Sequence, residues 1–184
     1  TRGAPGPWGE AFKAILQYKN IPFSAVAQEA GEANDALLAW TGTSNAPVAI
    51  YNSEEPKHHW SQLITLAERL NPEKPLVPSG SKDRSAMFGL INEIAGEEGF
   101  AWQRRLMIID MTLQFPEYAE VAGRLAAKYG HSTEAAAKAK DKAVTILGFL
   151  DEKLLEQQEL GSPYFIGNSL TTADIYWANF SNCS

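Results

Sequence analysis

Cysteine is almost missing from this 184-residue chain: the single one is Cys183, next to the last residue. A disulfide framework, a redox Cys-x-x-Cys pair and a thiolate metal site within the chain are thereby excluded. So little cysteine fits a reducing compartment, and a cytoplasmic location is the expectation. Long apolar runs are missing too. Nothing approaches the roughly 20 residues that span a bilayer, and no signal peptide opens the chain, so no membrane partner is expected. Thr1 is not an initiator methionine. Basic charge is scarce as well, with 16 Lys and Arg against 22 Asp and Glu for a formal net charge of −6. Affinity for nucleic acid comes mainly from cations that neutralise phosphates, so this balance argues against such a partner. No internal repeat or low-complexity tract stands out.

What is present suits a folded core: 45% of the residues are hydrophobic and 10% aromatic, the balance of an ordinary globular protein. Trp8, Phe12, Ile15 and Leu16 form a helical stripe. Gly6-Pro7 before it suits a helix start, because the fixed φ of proline is tolerated in the first turn. Ile21-Pro22 closes this helix, and Phe23 to Ala27 reads as a strand. A weaker helical segment covers about Glu32 to Trp40. Ala46-Pro47-Val48-Ala49-Ile50-Tyr51 reads as a short strand headed by proline, and Ser61 to Leu70 is again helical until Asn71-Pro72 stops it.

Residues 71–82 hold three prolines and a glycine with little periodicity, which makes them the best linker in the chain. Beyond them no strand pattern recurs. Ser85 to Leu113 is mostly helix-forming, with Gly96 and Gly99 as break points, and Phe115-Pro116 interrupts it. Thr133 to Glu159 is the clearest helix, with Ala136, Ala143, Leu147, Leu150 and Leu154 read as its apolar face. Gly161-Ser162-Pro163 ends it, and a last helix starts near Thr172. In that last start, Thr171 and Asp174 are spaced as a capping box, and Leu170 and Ile175 as a hydrophobic staple.

The run Pro163-Tyr164-Phe165-Ile166-Gly167-Asn168-Ser169-Leu170-Thr171-Thr172-Ala173-Asp174-Ile175 resembles the glutathione transferase signature, a Phe-x-x-Gly turn leading into a Ser/Thr-x-Ala-Asp helix. Three further places are similar to the same superfamily. Gly6-Pro7-Trp8 resembles the Ser-Pro-x or Cys-Pro-Trp/Phe turn, Ala46-Pro47-Val48 the Val-Pro-Val segment with its cis proline, and Trp60-Ser61-Gln62-Leu63-Ile64 the Glu/Gln-Ser-x-Ala-Ile element. Their order and spacing agree over essentially the whole chain. The resemblance is to members of bacterial type. It implies an α/β thioredoxin-like domain at 1–72, a linker at 73–82 and an all-α helical domain at 83–184. It also implies truncation at both ends, with only the tail of a first strand at Thr1-Arg2 and the last helix cut about a dozen residues in.

The function implied is that of a glutathione transferase: glutathione is bound as co-substrate and its thiol attacks a small apolar electrophile, in a protein that is commonly a homodimer. The alternative is a non-catalytic member kept as a glutathione-binding or protein-interaction module. The resemblance assigns glutathione binding to Trp8, Ala46, Pro47, Trp60 and Ser61. The backbone beside the proline would pair with the cysteine moiety, and Ser61 would hold the γ-glutamyl carboxylate. Helix N-termini suit anions for general reasons. Read without the resemblance, Ser61 is a plain helix N-cap and Ala46-Pro47 a strand start. No catalytic residue is assigned. Gly6 stands where relatives carry a hydroxyl or thiol, which leaves the Trp8 and Gly9 amides, or a nearby hydroxyl or tyrosine, from Thr1 or a residue before it, to favour the thiolate. Trp60 replaces the usual Glu or Gln, and indole cannot accept a hydrogen bond. His58-His59 lacks the partners of a metal site, so no metal is expected. Trp40 suits either the glycine end of glutathione or packing. Arg104, Arg105 and Trp102 fall where the family lines its hydrophobic pocket, although a solvated basic pair beside a core tryptophan explains them as well.

Overall fold

The computed structural model of the chain describes residues 6–29 and 32–182. Thr1-Arg2 and Cys183 lie outside these residues. Helix α1, Pro7–Tyr18, starts on Pro7 and buries Ala11, Phe12, Ile15 and Leu16 on one face. It ends where Asn20 takes a left-handed φ of 54°. Helix α2, Asp35–Thr41, is short and stops at Gly42, whose φ of 74° costs a residue without Cβ nothing. Helix α3, Trp60–Leu70, buries Leu63, Ile64, Leu66 and Ala67.

The two glycines flagged in the sequence divide one long helical stretch into α4, Ser81–Ala95, and α5, Phe100–Thr112. They do so sterically. A Cβ on Gly99 would lie 2.7 Å from the Asn92 carbonyl oxygen and 2.8 Å from that of Glu93. A short 3-10 turn, Pro116–Tyr118, leads into α6, Ala119–Tyr129, a helix the periodicity does not reveal because it buries only Ala122. Helix α7, Thr133–Glu159, keeps the expected bounds, and the Ser132 hydroxyl caps it through the Ala135 amide. Its buried face differs from the expectation: Ala139, Ala143, Ile146 and Leu150 face inward, while Leu147 is 38% exposed. The small Ala139 and Ala143 let α7 lie close along α5.

Helix α8, Thr172–Ser181, begins with the capping box expected from Thr171 and Asp174. The Asp174 carboxylate takes bonds from the Thr171 amide and hydroxyl, both 2.7 Å, and from the Phe165 amide at 2.8 Å. It thus fixes the preceding turn as well as the helix start. α8 packs against both α1 and α4, with Tyr176 and Phe180 deep in one core cluster that runs from Ala11 through Leu63 and Met87 to Leu150. The proline-rich connection is pinned to this core: Leu76 is buried, and its carbonyl accepts from the Thr172 amide at 2.9 Å.

Among the described residues, the two expected strands, Phe23 to Ala27 and Ala46 to Tyr51, do not form as continuous strands. Phe23 to Ala27 is exposed and has no ladder. Between Pro47 and the start of α3, an antiparallel bridge joins Ala49 to Lys57. A strand needs a partner for its N–H and C=O groups. Helix α1 packs on α8 and α3 instead.

Candidate functional site

The Ala49–Lys57 bridge organises the surroundings of the candidate site. Its two bonds, 2.9 Å from the Ala49 amide and 2.8 Å from the Lys57 amide, close a loop between Pro47 and the start of α3. Two residues before Ala49, the Ala46–Pro47 peptide is cis, as the resemblance requires. Four residues after Lys57 comes Ser61. The hairpin therefore links Ala46 and Pro47 to Trp60 and Ser61, which lie some 14 positions further along the chain.

At the start of α3 the structure corrects one reading. Ser61 is not the N-cap; His59 is. The His59 backbone amide donates to Gln62 Oε1 at 3.3 Å. The imidazole Nδ1 accepts from the Ser61 amide at 3.4 Å and lies 2.7 Å from the Ser61 hydroxyl. Both Ser61 donors thus face His59, which is exposed. Nothing in the sequence marks His59 as a cap, since histidine is a poor N-cap former. Trp60 turns its indole onto the Phe88 ring at 6.0 Å and onto His59 at 5.3 Å. A surface groove of about 230 Å³ opens on Ser61 and runs past Lys57, Gln62, Thr65 and Leu66 to Arg69. Arg69 is held there by a two-oxygen pair with Glu54, 2.7 Å to each.

Trp8 goes elsewhere. Its indole N–H donates to the Ala95 carbonyl at 2.9 Å, and its ring meets Phe180 edge-on at 5.0 Å. The side chain anchors α1 to α4 and α8, and only the Trp8 and Gly9 amides of the first turn are left for an anion. Gly6 and Gly9 both have open space where a side chain would be. Trp40 is 59% exposed, so core packing does not explain it. Among the described residues, no three His, Cys, Asp or Glu side chains group as metal ligands, and no helix is long and apolar enough to cross a membrane.

Beside the cis peptide lies a cluster that sequence reasoning missed. Asn45, one residue before it, accepts a bond from Lys128 of α6 at 2.7 Å. Lys128 is exposed, but partial desolvation of its ammonium, and then the charge of Arg105, hold it below the usual lysine range. Arg105 and Lys128 sit on different helices, and Asn45 lies in a loop far upstream of both, so no local pattern announces the grouping.

No family model and no curated protein matches the chain. Solved structures do. A glutathione S-transferase of Methylobacterium radiotolerans, in complex with glutathione sulfonate, superposes with a TM-score of 0.71 at 16% identity, over 96% of this chain and 74% of that one. Glutathione S-transferase 1-6 of Anopheles dirus gives 0.69 at 14%, over 97% and 74%. A tau-class glutathione S-transferase of mango gives 0.65 at 18%, over 96% and 70%. The chain therefore has the glutathione S-transferase fold.

Proposed function

We propose that the protein is a glutathione S-transferase-like enzyme of this superfamily, built from a thioredoxin-like unit at 1–72, a linker at 73–82 and a helical domain at 83–184. The observation that carries the reading is the Ala49–Lys57 bridge, which joins the cis Ala46–Pro47 peptide to the donors at the start of α3. On a fold shared with a transferase that holds a glutathione sulfonate, this is the arrangement a γ-glutamyl peptide needs: extended backbone for its amides, and an amide and hydroxyl for its carboxylate.

In this reading the glutathione backbone lies along Ala46 and Pro47. Its γ-glutamyl carboxylate displaces the His59 imidazole from the Ser61 amide and hydroxyl, and Trp60 supplies an apolar wall. The thiol, with an ordinary pKa of about 8.5, sits at the N-terminus of α1. There the Trp8 and Gly9 amides and the helix dipole favour the thiolate. The thiolate attacks a small apolar electrophile, a C–S bond forms, and the leaving group departs with its bonding pair while the thiol proton passes to solvent. The protein works as a cytoplasmic homodimer.

One observation favours a second reading, a non-catalytic glutathione-binding or interaction module. Gly6 brings no hydroxyl or thiol to the start of α1, and the Trp8 indole is committed to Ala95. Calorimetric titration with reduced glutathione and with S-hexylglutathione decides between them. Saturable binding of both, weakened at least about tenfold by Ser61→Ala, together with turnover of an aryl halide, supports the enzyme. Binding without turnover supports the module. An unchanged affinity in Ser61→Ala refutes the site.

A further inference from the structure

Two cations converge on one ring at the edge of the proposed site. Arg105 Cζ stands 5.7 Å from the centroid of Tyr129, and Lys128 Nζ stands 5.3 Å from the same centroid. Trp102 closes on that ring edge-on at 4.7 Å. Neither cation is paired with a carboxylate among the described residues. Asp110, on the same helix as Arg105, is held by His131 at 3.0 Å, and Glu120, on the helix of Lys128, by Arg124 at 2.8 Å. Among the described residues, the Lys128 ammonium donates to Asn45, one residue from the cis peptide.

Two like charges brought together without a counterion raise each other's energy, and a shared anion reverses that. Partial desolvation of the Lys128 ammonium and the Arg105 charge already disfavour its protonated form. The surroundings are aromatic and apolar as well as cationic. Trp102, Arg105 and Ile108 recur at three-residue spacing on one face of α5, and Ile108 is exposed.

We infer that Arg105 and Lys128, with the Trp102–Tyr129 pair beneath them, form an anion-recognising subsite for the second substrate, so that the preferred electrophile is an aromatic acid. This rests on the proposed glutathione site. The carboxylate of the electrophile bridges the two cations and its ring lies against the Trp102–Tyr129 pair. An aryl halide of this kind reacts with the glutathione thiolate by forming a C–S bond at the carbon that bears the halogen. Halide leaves with the C–halogen electron pair, and the carboxylate is unchanged. The Asn45–Lys128 bond ties the subsite to the Ala46–Pro47 backbone, so both substrates are held against the same loop.

The test uses two conjugates that differ by one carboxylate: S-(4-carboxy-2,6-dinitrophenyl)glutathione and S-(2,6-dinitrophenyl)glutathione, titrated calorimetrically into the full chain. Binding of the products reports the subsite whether or not the protein turns over. The carboxylated conjugate is expected to bind about tenfold tighter or better, and the preference should vanish in Arg105→Met/Lys128→Met. Lys128→Gln keeps a donor for Asn45 and removes only the charge, so it serves if the double variant does not fold. Equal affinities in the wild type overturn the inference, as does a preference that survives Lys128→Gln. A loss of affinity for glutathione itself in Lys128→Gln, equal to the loss for the conjugate, assigns the cations to a carboxylate of glutathione and overturns it too. Failure of the wild type to bind glutathione at all refutes the underlying site, a result separate from these.

Discussion

Lys19 Nζ lies 2.8 Å from Glu68 Oε1, and the whole Lys19 side chain is shut off from solvent. The same ammonium donates to the Lys74 carbonyl at 2.6 Å, and Glu68 Oε1 also takes the Leu76 amide at 3.1 Å. One ion pair therefore ties the end of α1, the C-terminal part of α3 and the proline-rich connection together. A buried charge deprived of its partner keeps its desolvation cost. Lys19→Met, which leaves Glu68 with the Leu76 amide, is expected to cost about 3 kcal/mol. Lys19→Met/Glu68→Leu should cost less than the sum of the single changes. Urea unfolding of the four chains checks this, and additivity would show that the pair is not coupled.

Gly99→Ala should be costly because its Cβ meets backbone oxygens, which cannot move aside without shifting the α4 end. A loss of about 2 kcal/mol is expected, read from the urea midpoint. Gly89→Ala, with open space at its Cβ, is the control and should be neutral or stabilising.

Asp174→Ala removes three bonds in one step, two from Thr171 and one from Phe165. The expected loss is about 2 kcal/mol. Asp174→Asn, which keeps an acceptor, should recover part of it. Hydrogen exchange at the Phe165 amide separates loss of the turn from loss of the helix start, since that amide should exchange faster in Asp174→Ala.

The Tyr176 hydroxyl is buried with no hydrogen-bond partner among the described residues, and burial pushes the phenol well above its usual range. The ring itself stacks on Phe180 at 5.7 Å. Tyr176→Phe keeps the ring and removes the unsatisfied oxygen, so it should stabilise the fold by about 1 kcal/mol. Destabilisation in thermal unfolding would reveal a hydrogen-bond partner for that oxygen.

Glu98 is held below the ordinary carboxylate range, first by its hydrogen bond to Lys142, with burial working the other way and the Lys142 charge and Gln103 adding to the lowering. A carboxylate whose pKa is lowered on folding stabilises above its unfolded value, and that gain is lost as pH falls through the lowered one. The pair is exposed, so the effect is under about 1 kcal/mol. Glu98→Gln should be slightly less stable than wild type at about pH 7, and the difference should close as the pH falls through and below the ordinary carboxylate range. A gap that persists at the acid end would contradict the sign.

Much of the helical frame is legible in the sequence. Pro7, the Gly96 and Gly99 breaks, the bounds of α7 and the Thr171–Asp174 box are local features, fixed by φ, by a missing Cβ and by side-chain reach within one turn. α6 escapes such a reading because a helix that buries one alanine leaves no apolar period. Leu147 falls off the buried face of α7 because a helix offers several apolar stripes and its neighbour selects one. Of the site, the cis Ala46–Pro47 peptide follows from the motif, and Ser61 sits in the first turn of α3 as the motif places it. The His59 cap does not, because its ring reaches Ser61 only once the loop is closed by the Ala49–Lys57 bridge.

The starts of α1 and α8, the break between α4 and α5 and the bounds of α7 are written in the sequence, because caps, prolines and glycines act over three or four residues. Only the tertiary structure decided that α8 packs against α1, that Trp8 is spent on Ala95, and that Lys128 reaches Asn45 across 83 positions. Such contacts depend on how apolar faces from distant segments share one core, and hydrophobic burial is non-directional: it records that a face is covered, not by which partner.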